Sequence, residues 1–98
     1  MLDSDVMKAI NWNFDKNQEL AETRGISFED VVVYIQQGEI LDIVEHPNQR
    51  KYPNQRIFVL NIDDYVYLVP YVEDRKEIYL KTIIPSRKAT KLYLRGSK

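Results

Sequence analysis

A chain of 98 residues, 44% hydrophobic and 30% charged, has the length of one domain and the composition of an ordinary globular protein. No run approaches the roughly 18 apolar residues of a membrane helix. Cysteine is absent, which excludes disulfides, thiol nucleophiles and cysteine zinc sites. The net charge of −1 hides an asymmetry. Residues 1–45 carry 10 acidic and 3 basic residues, whereas residues 75–98 carry 1 acidic and 8 basic. The acidic half argues against an all-round nucleic-acid binder, so any such site is local. The start, MLDSDVMK, lacks the basic-then-apolar pattern of a signal peptide, which points to the cytoplasm.

Residues 1–8 read as a flexible leader and residues 9–95 as a single domain. AINW, at 9–12, reads as a short edge strand. Asn13 or Asp15 can cap a helix over 14–24, and Gly25 stands at its C′ position. Ser27 with Asp30 resembles a capping box. Phe28, Val31, Val32 and Ile35 follow at helical spacing, so a second helix runs to Gly38. A strand over 31–34 is the rival reading, because valine is β-branched.

Residues 40–45 (ILDIVE) read as a strand. The stretch 46–55 contains two Pro-Asn turns, and the string PNQR occurs at 47–50 and again at 53–56. Residues 56–62 form a strong strand, Asp63-Asp64 a turn, and 65–72 the returning strand. Pro70 marks an edge or a bulge there. Residues 77–84 alternate, with Ile78, Leu80, Thr82 and Ile84 on the core side and Tyr79, Lys81 and Ile83 opposite. Pro85 stops that ladder, and Ser86 caps a basic helix. The faces of Tyr65, Tyr67 and Tyr71 depend on the register near Pro70. The predicted class is α+β: a short N-terminal strand, two helices, a four-stranded antiparallel meander and a C-terminal helix.

Several strings then resemble a known family. Ile10-Asn11-Trp12-Asn13 with Asp15, Lys16 and Asn17 opens the pattern; Arg24-Gly25-Ile26-Ser27-Phe28-Glu29 continues it; Pro85-Ser86-Arg87-Lys88-Ala89-Thr90 closes it. Together they resemble the BrnT-like toxins, relatives of the RelE-type ribonucleases of type II toxin–antitoxin pairs. The likeness spans residues 9 to 93. Two departures stand out. Asn54, Gln55 and Arg56 occupy the place of an acidic-x-Arg pair, and the last strand ends Lys81-Thr82-Ile83-Ile84-Pro85 rather than Arg-Ile-Ile-Ser.

The resemblance implies RNA cleavage without a metal or cofactor, in which the ribose 2′-OH attacks phosphorus with help from a base, an acid and a cation. The catalytic candidates are Arg87, His46, Arg56 and Lys81. Arg50, Lys51, Tyr52, Tyr71, Tyr79, Lys88 and Lys91 are candidates for RNA binding, the tyrosines by stacking or as donors of a phenolic proton. Each has a plainer reading: His46 as a loop histidine, Lys81 as a solvated strand lysine, Arg87 in an ion pair, the tyrosines as strand material. The implied partners are RNA and a cognate antitoxin with a ribbon-helix-helix DNA-binding domain, in a heterotetramer built on a toxin homodimer. The alternative is a non-catalytic domain that binds such a partner in operon autoregulation.

Overall fold

The computed structural model describes residues 8–95. The expected leader lies outside them except for Lys8, whose ammonium pairs with Glu73 at 2.7 Å. Ala9–Trp12 forms β1. Asn13 then caps α1, Phe14–Arg24, by accepting the Lys16 N–H at 2.8 Å. Gly25 ends this helix at φ 70°, a left-handed conformation that glycine adopts without steric cost. Ser27 and Asp30 form a reciprocal capping box for α2, Phe28–Gln36, so residues 31–34 are helical rather than extended. Asn17 joins the two helices. Its Oδ1 accepts the Phe28 N–H at 2.6 Å and its Nδ2 donates to Glu29 at 2.8 Å.

The strands follow in the predicted order. β2 (Ile40–Glu45), β3 (Arg56–Ile62), β4 (Tyr65–Glu73) and β5 (Glu77–Leu80) form an antiparallel meander. β1 adds to its outer side, parallel to β5, giving the order β1-β5-β4-β3-β2. A short β6, Ile84–Pro85, also pairs with β4. Ser86 caps α3, Arg87–Thr90, which continues as a π-helical turn over Lys91–Arg95. The class is α+β with a mixed six-stranded sheet.

Register assigns the faces. Phe58, Leu60 and Ile62 lie opposite Val69, Tyr67 and Tyr65, and Tyr71 lies opposite Leu80. Residues facing each other across a pair share a side of the sheet. The helices cover this side through Leu20, Phe28 and Val31, and Phe28 stacks on Trp12 with ring centres 5.7 Å apart. Tyr65, Tyr67 and Tyr71 therefore belong to the core face, away from Tyr79. The other face buries Ile57, Val59 and Val66. The C-terminal helix crosses it. Thr90 Oγ1 accepts the Val66 N–H at 2.8 Å, and the Tyr93 hydroxyl donates to Asp42 of β2 at 2.8 Å.

One expectation is overturned. The strand foreseen over 77–84 stops at Leu80. Lys81 N–H still reaches the Pro70 carbonyl at 2.8 Å, but Pro70 has no N–H to return. Leu80 lies opposite Tyr71 and Ile84 opposite Leu68, so one strand advances four residues while the other advances three. The extra residue is a bulge, and it inverts the alternation beyond it. Ile83 is fully buried in the core and Ile84 is 40% exposed, the reverse of the expected pattern. The Arg24 guanidinium donates to the Ile83 carbonyl at 2.5 Å and holds the bulge against the end of α1.

Candidate functional site

Three strands end side by side with a row of polar side chains. Glu45 of β2 is opposite Arg56 of β3, and Arg56 is opposite Tyr71 of β4. All three share the core face, at the end of the sheet away from the Asp63–Asp64 turn. Their side chains, with Gln49, Glu73 and Arg75, line a cleft of about 630 Å³. Cross-strand neighbours have Cβ atoms about 5 Å apart, within reach of one bound group. Glu45 and Arg56 are exposed, and neither enters an ion pair among the described residues.

Tyr71 is different. Its ring stacks on Phe58 with centroids 4.0 Å apart and is 2% exposed. No ring face remains for an RNA base, so the stacking role foreseen for it is corrected. Burial pushes its phenol above the ordinary value of 10.0, while the Arg56 guanidinium beside it pulls the other way. The phenol therefore keeps its proton at pH 7, and Tyr71 is among the residues lining the cleft.

The loop 46–55 borders this cleft. His46 organises it: its N–H donates to the Gln55 carbonyl at 3.0 Å and its Nδ1 accepts the Asn48 N–H at 3.0 Å. Gln49 donates to the His46 carbonyl at 2.7 Å. The imidazole lies against Tyr52 at 4.5 Å, and the Lys51 ammonium lies 5.3 Å from the same tyrosine ring. His46 and Tyr52 thus spend much of their capacity holding the loop. Arg50 and Lys51 are exposed on it.

The remaining candidates stand elsewhere. Lys81 is exposed at the bulge, with its ammonium 5.5 Å from the Tyr79 ring on the second face. Arg87, Lys88, Lys91 and Arg95 are exposed along the C-terminal helix, and none pairs with a carboxylate among the described residues. β6, which leads into that helix, meets β4 at Tyr67 and Leu68, whereas Arg56 meets it at Tyr71. That offset of three to four residues is roughly 10–13 Å along a strand. The four catalytic candidates are not brought together: Arg56 faces the cleft, His46 anchors its border, and Lys81 and Arg87 lie apart.

The chain matches no family model, no curated protein and no solved structure. Among the described residues, no group of three or more His, Asp or Glu side chains is arranged to hold a metal ion, and no helix is long and apolar enough to cross a membrane. Sequence reasoning missed Glu45 and Arg75. Glu45 gains meaning only from register, because eleven residues separate it from Arg56. Arg75 reads as a turn residue until the turn is seen to close the cleft.

Proposed function

We propose that this chain is an endoribonuclease of the toxin type, acting without a metal through the Glu45–Arg56–Tyr71 row. The observation that carries the reading is this alignment, across three adjacent strands, of a carboxylate and a guanidinium that enter no ion pair among the described residues and a neutral phenol. Each meets one requirement of the reaction. Glu45 takes the proton of the ribose 2′-OH as that oxygen attacks phosphorus. Arg56 stabilises the charge on the phosphorane oxygens. Tyr71 gives its proton to the departing 5′-oxygen. The products are a 2′,3′-cyclic phosphate and a 5′-hydroxyl. The cations of the C-terminal helix grip the RNA away from the reacting bond. In this reading Arg87 contributes to binding rather than chemistry. The inhibitory partner is a cognate antitoxin with a ribbon-helix-helix domain, in a heterotetramer.

Expression alone should arrest growth and fragment cellular RNA, and cleavage in vitro should survive EDTA. Arg56→Ala should lower cleavage about 100- to 1,000-fold, the usual loss for one oxyanion-stabilising donor, with an unchanged circular dichroism spectrum. Arg87→Ala should raise KM and leave kcat intact. Intact RNA and normal growth at good yield would reject the reading. A second reading, a non-catalytic domain that binds a DNA-binding partner, is favoured by the separation of Lys81 and Arg87 from the row. It requires a tight complex with no cleavage.

A further inference from the structure

β2 is an outer strand of the sheet, hydrogen-bonded to β3 on one side only. The His46 N–H donates to the Gln55 carbonyl, so by antiparallel alternation Asp42 and Val44 turn their backbone groups toward β3. Ile43 and Glu45 turn theirs outward. Natural edges are commonly blunted by lysine, proline or short length. Residues 39–45, EILDIVE, contain no lysine, arginine or proline. Two features temper this edge: the register shift between Ile40 and Asp42, beyond which pairing is regular over 42–45, and the Asp42 carboxylate over the Ile43 N–H. Ile43 is 44% exposed on the edge, and Leu41 beside it 38%.

The edge has a definite chemical pattern. On the core face Ile43 is followed by Glu45; on the second face Asp42 is followed by Val44. Neither acid enters an ion pair among the described residues. Read along the edge, 42–45 is acidic, apolar, apolar, acidic. A second copy pairing antiparallel through this edge would set Ile43 opposite Ile43 and Asp42 opposite Val44, leaving the acids of both copies without a cation. An extended segment reading basic, apolar, apolar, basic complements it in either direction. We propose that β2 is a strand-addition site for such a segment of another protein. Asp42 acts as its latch. Its Oδ1 accepts the outward Ile43 N–H at 2.8 Å, and its Oδ2 holds the Tyr93 hydroxyl. An incoming carbonyl takes over the Ile43 N–H while an incoming cation pairs with the released carboxylate. The inference shares Glu45 with the catalytic reading but does not depend on it, since peptide binding is read without RNA and needs no cleavage.

Fluorescein-labelled TKVVKT is the probe, with TVKKVT as a control of identical composition and charge. Fluorescence anisotropy should show TKVVKT binding at least about tenfold more tightly than TVKKVT. Amide hydrogen exchange should slow at Ile43 and Glu45 when TKVVKT is bound. Ile43→Lys, a change at an exposed position, should abolish the preference, with circular dichroism reporting that the fold is kept. Equal binding of the two peptides, or none at millimolar concentration, overturns the proposal. So does a concentration-dependent dimer of the free protein in sedimentation whose amide protection falls on β2.

Discussion

Thr90 is buried, yet it is a hydroxyl on a short basic helix. Its oxygen accepts the Val66 N–H at a point where β4 has lost its neighbouring strand, and its proton goes to the Ser86 carbonyl at 2.7 Å. One side chain thus completes a sheet ladder and fastens the C-terminal helix to the sheet. Thr90→Val keeps the shape and leaves the Val66 N–H buried without a partner. This should cost about 1–3 kcal/mol in chemical denaturation, the usual penalty for an unsatisfied buried donor. An equally stable Thr90→Val protein would show that water reaches the Val66 N–H. Single residues were legible in the sequence where their partners are local. Asn13, Ser27 and Ser86 as caps, and Gly25 at a helix end, act within three or four positions. Thr90 and Asn17 were not, because their partners lie 24 and 11 residues away. Glu45 escaped notice for the same reason.

At the scale of elements, turn chemistry was well encoded and strand continuity was not. Asp63 and Asp64 have φ of 55° and 68°, so the β3–β4 hairpin closes through two left-handed residues. That is the geometry of a type I′ turn, which Asn-Gly fits best. Asp64→Gly should remove the Cβ penalty and raise stability by about 0.5–1 kcal/mol, read as a higher melting temperature by calorimetry. A lower melting temperature would mean that the Asp64 carboxylate contributes more than its backbone strain costs. The bulge after Leu80 illustrates the opposite case. The residues 77–84 alternate cleanly, and nothing in their own composition announces an insertion. The cause sits on the neighbouring strand, where Pro70 withholds a hydrogen bond. Period-two reading is blind to a defect imposed from across a ladder, and so it placed Ile83 and Ile84 on the wrong sides.

The whole molecule is polarised through the thickness of its sheet. The helices on the core face carry Asp15, Glu19, Glu22, Glu29 and Asp30, against Lys16 and Arg24. The opposite face carries Arg87, Lys88, Lys91 and Arg95 and no acid on its helix. Sequence halves of opposite charge have become faces of opposite charge. The linear count was visible from the start, but its conversion into geometry required the meander to place the C-terminal helix behind the sheet. The protein should therefore bind heparin despite its net charge of −1. Affinity for single-stranded RNA should fall with salt, and each cation of this helix changed to alanine should reduce the logarithmic slope by about 0.7 if it contacts a phosphate. A slope unchanged in a fourfold variant would place the RNA elsewhere.

The position of β1 has a consequence for how the chain is made. Its partner is β5, so Ala9 meets Glu77 and Trp12 meets Leu80 across a separation of 68 residues. Trp12 also forms part of the packing around Phe28. On a ribosome adding roughly 5–20 residues each second, the first strand emerges and then waits several seconds for the strand it pairs with. Both helices and the first hairpin can collect during that interval, because their contacts are local. Final closure of the sheet thus waits until β5 has left the tunnel rather than occurring as β1 emerges. Until then the nascent domain presents an open sheet edge and an incompletely packed tryptophan to whatever surrounds the exit tunnel.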